Sequence, residues 1–137
     1  MTTQTRGVRM ADLLAKMVGR GASDVHLQAG APPHVRIDGE LLPWEDSPDL
    51  TPAQTEQIAM AMMTEGQRDA FRHRHELDFA FTIPEVARFR CNAYRQRGSV
   101  GVVMRVIGDA IPGFDALGLP GQVVSEFAEQ PRGLVLV

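Results

Sequence analysis

Two alternating runs on either side of Arg97-Gly98 constrain this chain more than any other feature: Arg88 to Gln96 and Ser99 to Ile107 read as the two arms of one antiparallel hairpin. A two-residue turn fixes the register, and side chains alternate between the faces of a strand, so the turn decides which residues oppose one another. Phe89 then faces Val106, Cys91 faces Met104 and Ala93 faces Val102, which makes one face wholly apolar. The same register sets Arg90 directly across from Arg105, with Arg88 on their face. Opposed arginines repel by a few tenths of a kcal/mol when exposed and by more when partly buried. They either fan out into water, pair with Asp or Glu from a neighbouring element, or face an anion.

Antiparallel pairing also explains the first third of the chain. Val25 and Leu27 alternate with Asp24, His26 and Gln28, and Val35 and Ile37 alternate with His34, Arg36 and Asp38, as in half-buried strands. Pro32-Pro33 has no N–H to give a ladder, so the first strand must end before it and the second begin after it. Asp38-Gly39 is a tight-turn signal and predicts a third short strand around Leu41 to Trp44. Asp24 and His26 fall on the polar face of the first strand, as a solvated sheet face or as a contact with another subunit.

Helices punctuate this pattern. Met10, Leu13, Leu14, Met17 and Val18 recur at helical spacing up to Gly19 and Gly21, and residues 1–9 read as a flexible tail. Thr51 with Pro52 and Gln54, then Thr64 with Gln67, make two capping boxes, which start one helix with Ile58, Met62 and Met63 inward and another that carries Phe71. The methionines of these helices read as core filling. From Leu77 the period switches to two, with Leu77, Phe79 and Phe81 on one face, until Pro84-Glu85 closes the strand. Gly108 to Pro112 reads as a linker, Gln122 to Ala128 as a short helix, and Leu134 to Val137 as an apolar run of the kind found in parallel strands covered on both faces.

The remaining numbers mainly exclude. At 137 residues the chain holds one compact domain, and any second one is partial. A net charge of −3 gives no general attraction to nucleic acid, and the continuous basic stripe with exposed aromatics of a nucleic-acid module is missing. The single Cys91 has no internal disulfide partner and reads as a small core residue in a reducing compartment. The sequence contains no apolar run approaching the roughly 20 residues that span a bilayer.

Catalytic motifs are scarce. Gly113 and Gly118 have the spacing of two phosphate-loop glycines, but Leu119-Pro120 stand where Lys and Ser/Thr would hold phosphate and magnesium. His73, His75, Glu76 and Asp78 cross from a helix end into a strand and read as a solvated junction, not a metal site.

The stretch Gly21-Ala-Ser-Asp-Val-His-Leu-Gln-Ala-Gly-Ala-Pro-Pro, followed by Arg36-Ile-Asp-Gly39 and the arginine hairpin, resembles the pilus-retraction motors, the PilT-like branch of the secretion ATPases. The resemblance covers nearly the whole chain. It implies an α+β fold, a PAS-like antiparallel sheet of about six strands with packed helices over residues 10–107. A hinge linker over 108–113 and the first elements of a RecA-like ATPase domain over 114–137 would follow, ending just before the phosphate loop. It further implies that Arg90 and Arg105, with Arg88 beside them, reach the phosphates of ATP on the motor domain, with magnesium ligands and catalytic residues lying outside this stretch. The implied partners are neighbouring subunits of a homohexamer and the inner-membrane platform of the type IV pilus. The implied location is cytoplasmic, peripheral to that machine, with no insertion into lipid. Relative to assembly-type members, Arg95 to Gly98 make a shorter and more basic turn. A PAS-like sensor of a small ligand, or a protein-interaction domain, is the alternative, and an apolar internal cavity above a few hundred Å³ would favour the sensor.

Overall fold

The computed structural model of the chain describes residues 10–108 and 110–136. The tail expected over residues 1–9 lies outside them. Four helices and six strands follow in the order α1 (Met10–Gly19), β1 (Asp24–Leu27), β2 (His34–Ile37), β3 (Glu40–Pro43), α2 (Pro52–Met62), α3 (Glu65–Arg74), β4 (Glu76–Ile83), β5 (Ala87–Gln96), β6 (Ser99–Ile107) and α4 (Gly121–Ala128). The strands form one sheet in the order β3-β2-β1-β6-β5-β4, with every neighbouring pair antiparallel.

That order is two three-stranded meanders sewn together along β1 and β6. Each meander is a local product of its turns. Asp38-Gly39 and Arg97-Gly98 both have positive φ at the two central positions, the backbone that lets a two-residue turn follow the twist of its strands. The hairpin register is the one the turn demands, with Arg90 opposite Arg105 and Phe89 opposite Val106.

The layering follows from the connection between the meanders. β3 and β4 lie at opposite edges, so the chain between them must cross five strand spacings, roughly 24 Å. It crosses as α2 and α3, which pack on β6 and β4 and cover one face. Both helices start at complete capping boxes, Thr51 with Gln54 and Thr64 with Gln67, and the Arg68 side chain donates to the Met60 carbonyl at 2.8 Å to hold the corner between them. Leu13, Leu14 and Met17 of α1 join Phe71, Phe89, Met104, Val25, Leu27, Val100 and Val102 in a single buried cluster. In α2 the inward residues are Thr55, Ala59 and Met62, with Ile58 half-buried. Thr55 is tolerated there because its hydroxyl donates to the Pro52 carbonyl at 3.1 Å.

The C-terminal stretch is only loosely attached to this core. Helix α4 forms but buries no residue, and Leu134, Val135 and Leu136 are in no strand and are 82%, 51% and 84% exposed. An interior parallel strand is held by ladders on both sides, and among the described residues none pairs with this run. Val137, the last residue of the expected strand, lies outside the described residues. Gly118 ends a turn over 114–118 that Gly113 precedes, with the Leu117 N–H donating to the Gly113 carbonyl, and the two do not form a phosphate loop.

Candidate functional site

With α1 to α3 on one face, the other face of the sheet carries most of its polar and charged side chains. Its central row runs Ala80, Arg90, Arg105, Asp24, Arg36 across β4, β5, β6, β1 and β2. The next row runs Asp78, Asn92, Val103, His26, His34.

Asp24 organises the central row. It is not the solvated strand residue that alternation suggests: its side chain is only 11% exposed and it takes part in every charged contact of the row. Its Oδ1 accepts the Nε–H of Arg105 at 3.1 Å, and its Oδ2 accepts the Ser23 hydroxyl at 2.9 Å and lies 3.6 Å from Nε of Arg36. Burial works against the charged carboxylate, but the Ser23 hydroxyl and the guanidinium groups of Arg105 and Arg36 outweigh it and hold the pKa below the ordinary value of 3.8. The strand fixes this contact from both sides, since the Ser23 N–H donates to the Arg36 carbonyl and the Ser23 carbonyl accepts from Val106, each at 2.9 Å.

Arg105 thus uses one nitrogen on a neighbouring carboxylate, as the second of the three sequence alternatives had it, while its side chain stays 73% exposed. Arg90 has no ion-pair partner among the described residues, and Ala80 and Arg105 flank it on β4 and β6. Together they border an open depression of about 210 Å³ lined also by Asp24, Asp78, Asn92 and Val103. Arg88 is on the same face one pleat further out, between Thr82 and Ile107, and does not line it. Two arginines and two carboxylates, Asp24 and Asp78, line the depression, so its formal charges balance, and what suits it to oxyanions is the set of terminal guanidinium N–H groups.

Other candidates are placed elsewhere. Tyr94 lies across Gly101 on the same face, so close that a Cβ at Gly101 would stand 2.5 Å from the ring. His26 is half-buried beside the row. Burial lowers its pKa, Asp24 opposes that shift, and Arg36 and His34 reinforce it. Asn92 donates to Asp78 and Glu76 at 3.3 and 3.4 Å, His73 Nδ1 contacts the Asp69 carbonyl at 2.8 Å, and His75 is the left-handed cap of α3. Cys91 is fully buried in the core, and burial pushes its thiol up to about 12.

Sequence reasoning found the arginine pair but missed Asp24 as its organiser. The missed signal is the unlike neighbour on each adjacent strand: an alternating polar position reads as solvent-facing unless the flanking strands are known to bring arginines to it.

Comparison with known proteins agrees with this architecture. No family model matches the chain. The type IV pilus retraction ATPase PilT of Pseudomonas aeruginosa PAO1 is 40% identical over 128 residues, which are 93% of this chain and 37% of that protein. The type IV pilus ATPase PilU of the same strain is 39% identical over 124 residues, 90% of this chain and 32% of that protein. The crystal structure of the pilus retraction motor PilT with bound ADP superposes with a TM-score of 0.77 at 40% identity, over 87% of this chain and 35% of that one. The chain spans about a third of the length of these relatives. With the six-stranded antiparallel α+β fold shared and the identity sustained along most of its length, the chain is homologous to the PilT and PilU type IV pilus ATPases.

Proposed function

We propose that this chain is the N-terminal, PAS-like part of a cytoplasmic ATPase motor that retracts type IV pili in twitching motility, and that its helix-free sheet face closes on nucleotide. Residues 10–107 would form the clamp, 108–113 the hinge, and 114–137 the beginning of the RecA-like motor domain. ATP, with magnesium held by residues elsewhere, is the substrate, and Arg90 and Arg105 take its phosphate oxygens with Arg88 at the rim. The same face would meet the neighbouring subunit of a homohexamer docked on the inner-membrane pilus platform. Among the described residues no helix is long and apolar enough to cross a membrane.

The observation that carries this reading is the opposed pair: two exposed arginines side by side on an open sheet face, of which Arg90 has no carboxylate partner among the described residues. Guanidinium groups cannot lose their charge at physiological pH, and their planar fork matches phosphate oxygens. Closure would be driven by contacts that ATP makes only in the closed state.

The test is turnover in the complete protein. Arg105→Ala and Arg90→Ala each lower kcat for ATP by about tenfold or more, as loss of a transition-state charge partner does. Arg97→Ala, the same change of charge in the hairpin turn, leaves it unaltered. Equal turnover for all three variants at saturating ATP would sink the clamp.

A further inference from the structure

The reading above uses the arginines and leaves unexplained the best-anchored charge on the face. Asp24 lies between Arg36 and Arg105 in the central row, and each of its oxygens has a separate role. Oδ2 is taken up by the Ser23 hydroxyl and the approach of Arg36, while Oδ1 receives the Nε–H of Arg105. A guanidinium bonded through Nε still has its end-on pair, one N–H from each terminal nitrogen, directed away from that bond as a two-pronged fork. Among the described residues the terminal nitrogens of Arg105 have no protein acceptor, and they border the depression shared with Arg90.

We infer that Asp24 is a positioning residue for oxyanion recognition: it holds Arg105 by Nε so that the terminal fork points out of the sheet beside Arg90, ready for a phosphate group. This rests on the phosphate-clamp reading and adds to it the residue that orients the fork. Asp24 touches no ligand itself. Being an anion next to an anion site, it carries an electrostatic cost for the ligand, so two roles predict opposite signs on its removal. If Asp24 only neutralised Arg105, deleting it would tighten phosphate binding. If it aims Arg105, deleting it weakens binding although the patch becomes more positive.

The experiment uses the 137-residue chain at low salt with inorganic tripolyphosphate as the probe, read by NMR on the backbone amides and on the arginine Nε–H signals. In the wild type the Arg105 Nε–H is expected as a sharp, slowly exchanging resonance and that of Arg90 as an averaged one. Asp24→Ala, with the rest of the amide spectrum intact, is expected to average the Arg105 signal and weaken tripolyphosphate about threefold or more. Asp24→Asn, which keeps an acceptor for Nε–H and loses the charge, binds at least as tightly as the wild type. Unchanged or tighter binding by Asp24→Ala overturns the inference. Because the wild-type measurement needs no variant to fold, an Arg105 Nε–H as averaged as that of Arg90 overturns it too. Failure of the clamp reading looks different: Arg90→Ala and Arg105→Ala would then bind tripolyphosphate as the wild type does, while the Arg105 Nε–H still loses its sharp signal in Asp24→Ala.

Discussion

Three side chains on or beneath the helix-free face have titration behaviour set by their neighbours. His26 keeps its ring neutral more readily folded than unfolded, because burial, Arg36 and His34 together outweigh Asp24. Its folded pKa is below 6.5, so its contribution to stability is whole above about pH 6.5 and lost as pH falls toward the folded value. His26→Gln should flatten that part of the stability curve, measured by urea denaturation at successive pH values. Asp24, also depressed, contributes above its ordinary value of 3.8, and its share is lost only as pH falls below that, so Asp24→Asn should alter the acid limb and, by removing the charge that opposes the His26 shift, deepen the loss below pH 6.5. Asp24→Ala should cost about 1–2 kcal/mol, less than a buried pair because Arg105 is largely solvated. Cys91, with its thiol pushed up to about 12, should resist alkylation in the native chain at pH 8 and react on denaturation, by mass spectrometry. Of these, the burial of Cys91 was legible from the hairpin register, whereas that of Asp24 depends on an arginine brought from 81 residues away.

Elements whose cause is local were the ones the sequence disclosed. The capping boxes at Thr51 and Thr64 act within four residues, and both are formed. Thr51→Ala should therefore cost about 1 kcal/mol in thermal or urea unfolding. The turn at Arg97-Gly98 sets every pairing of β5 with β6, including Tyr94 opposite Gly101. What alternation did not disclose is how that pair packs: the Tyr94 ring fills the space where a Cβ of residue 101 would be, the ring atoms standing at 2.5 to 2.8 Å. Gly101→Ala should displace the ring and lower stability by about 1–3 kcal/mol, while Tyr94→Ala in the same background recovers part of the loss. The apolar run at Leu134 is the opposite case, since a parallel strand depends wholly on partners that a local pattern does not contain, and among the described residues it has none.

At the scale of the whole chain, stability should be unevenly distributed. Strands β1, β2 and β4 to β6 share one core with α1 to α3, whereas α4 buries nothing and Ile111, Leu117, Phe127, Leu134 and Leu136 are exposed. Amide exchange should be slow in β1, β5 and β6 and fast across residues 110–136, and the exposed apolar groups should make the chain self-associate at high concentration by light scattering. The two-layer plan was legible in the run of strands and helices, but the strand order was not, because nothing in a short strand names its non-local neighbour. That order has a consequence in time. The seam between the meanders pairs a strand near the start of the chain with the last strand of the sheet, so a growing polypeptide can fold its first hairpins early but must leave β1 with an unpaired edge until β6 is made. The Asp24–Arg105 contact straddles this seam and forms only when it closes. The paired arginine face is therefore complete only once β6 has joined β1, and a nascent chain stalled before β6 carries Arg90 without Arg105 or the contact that holds it.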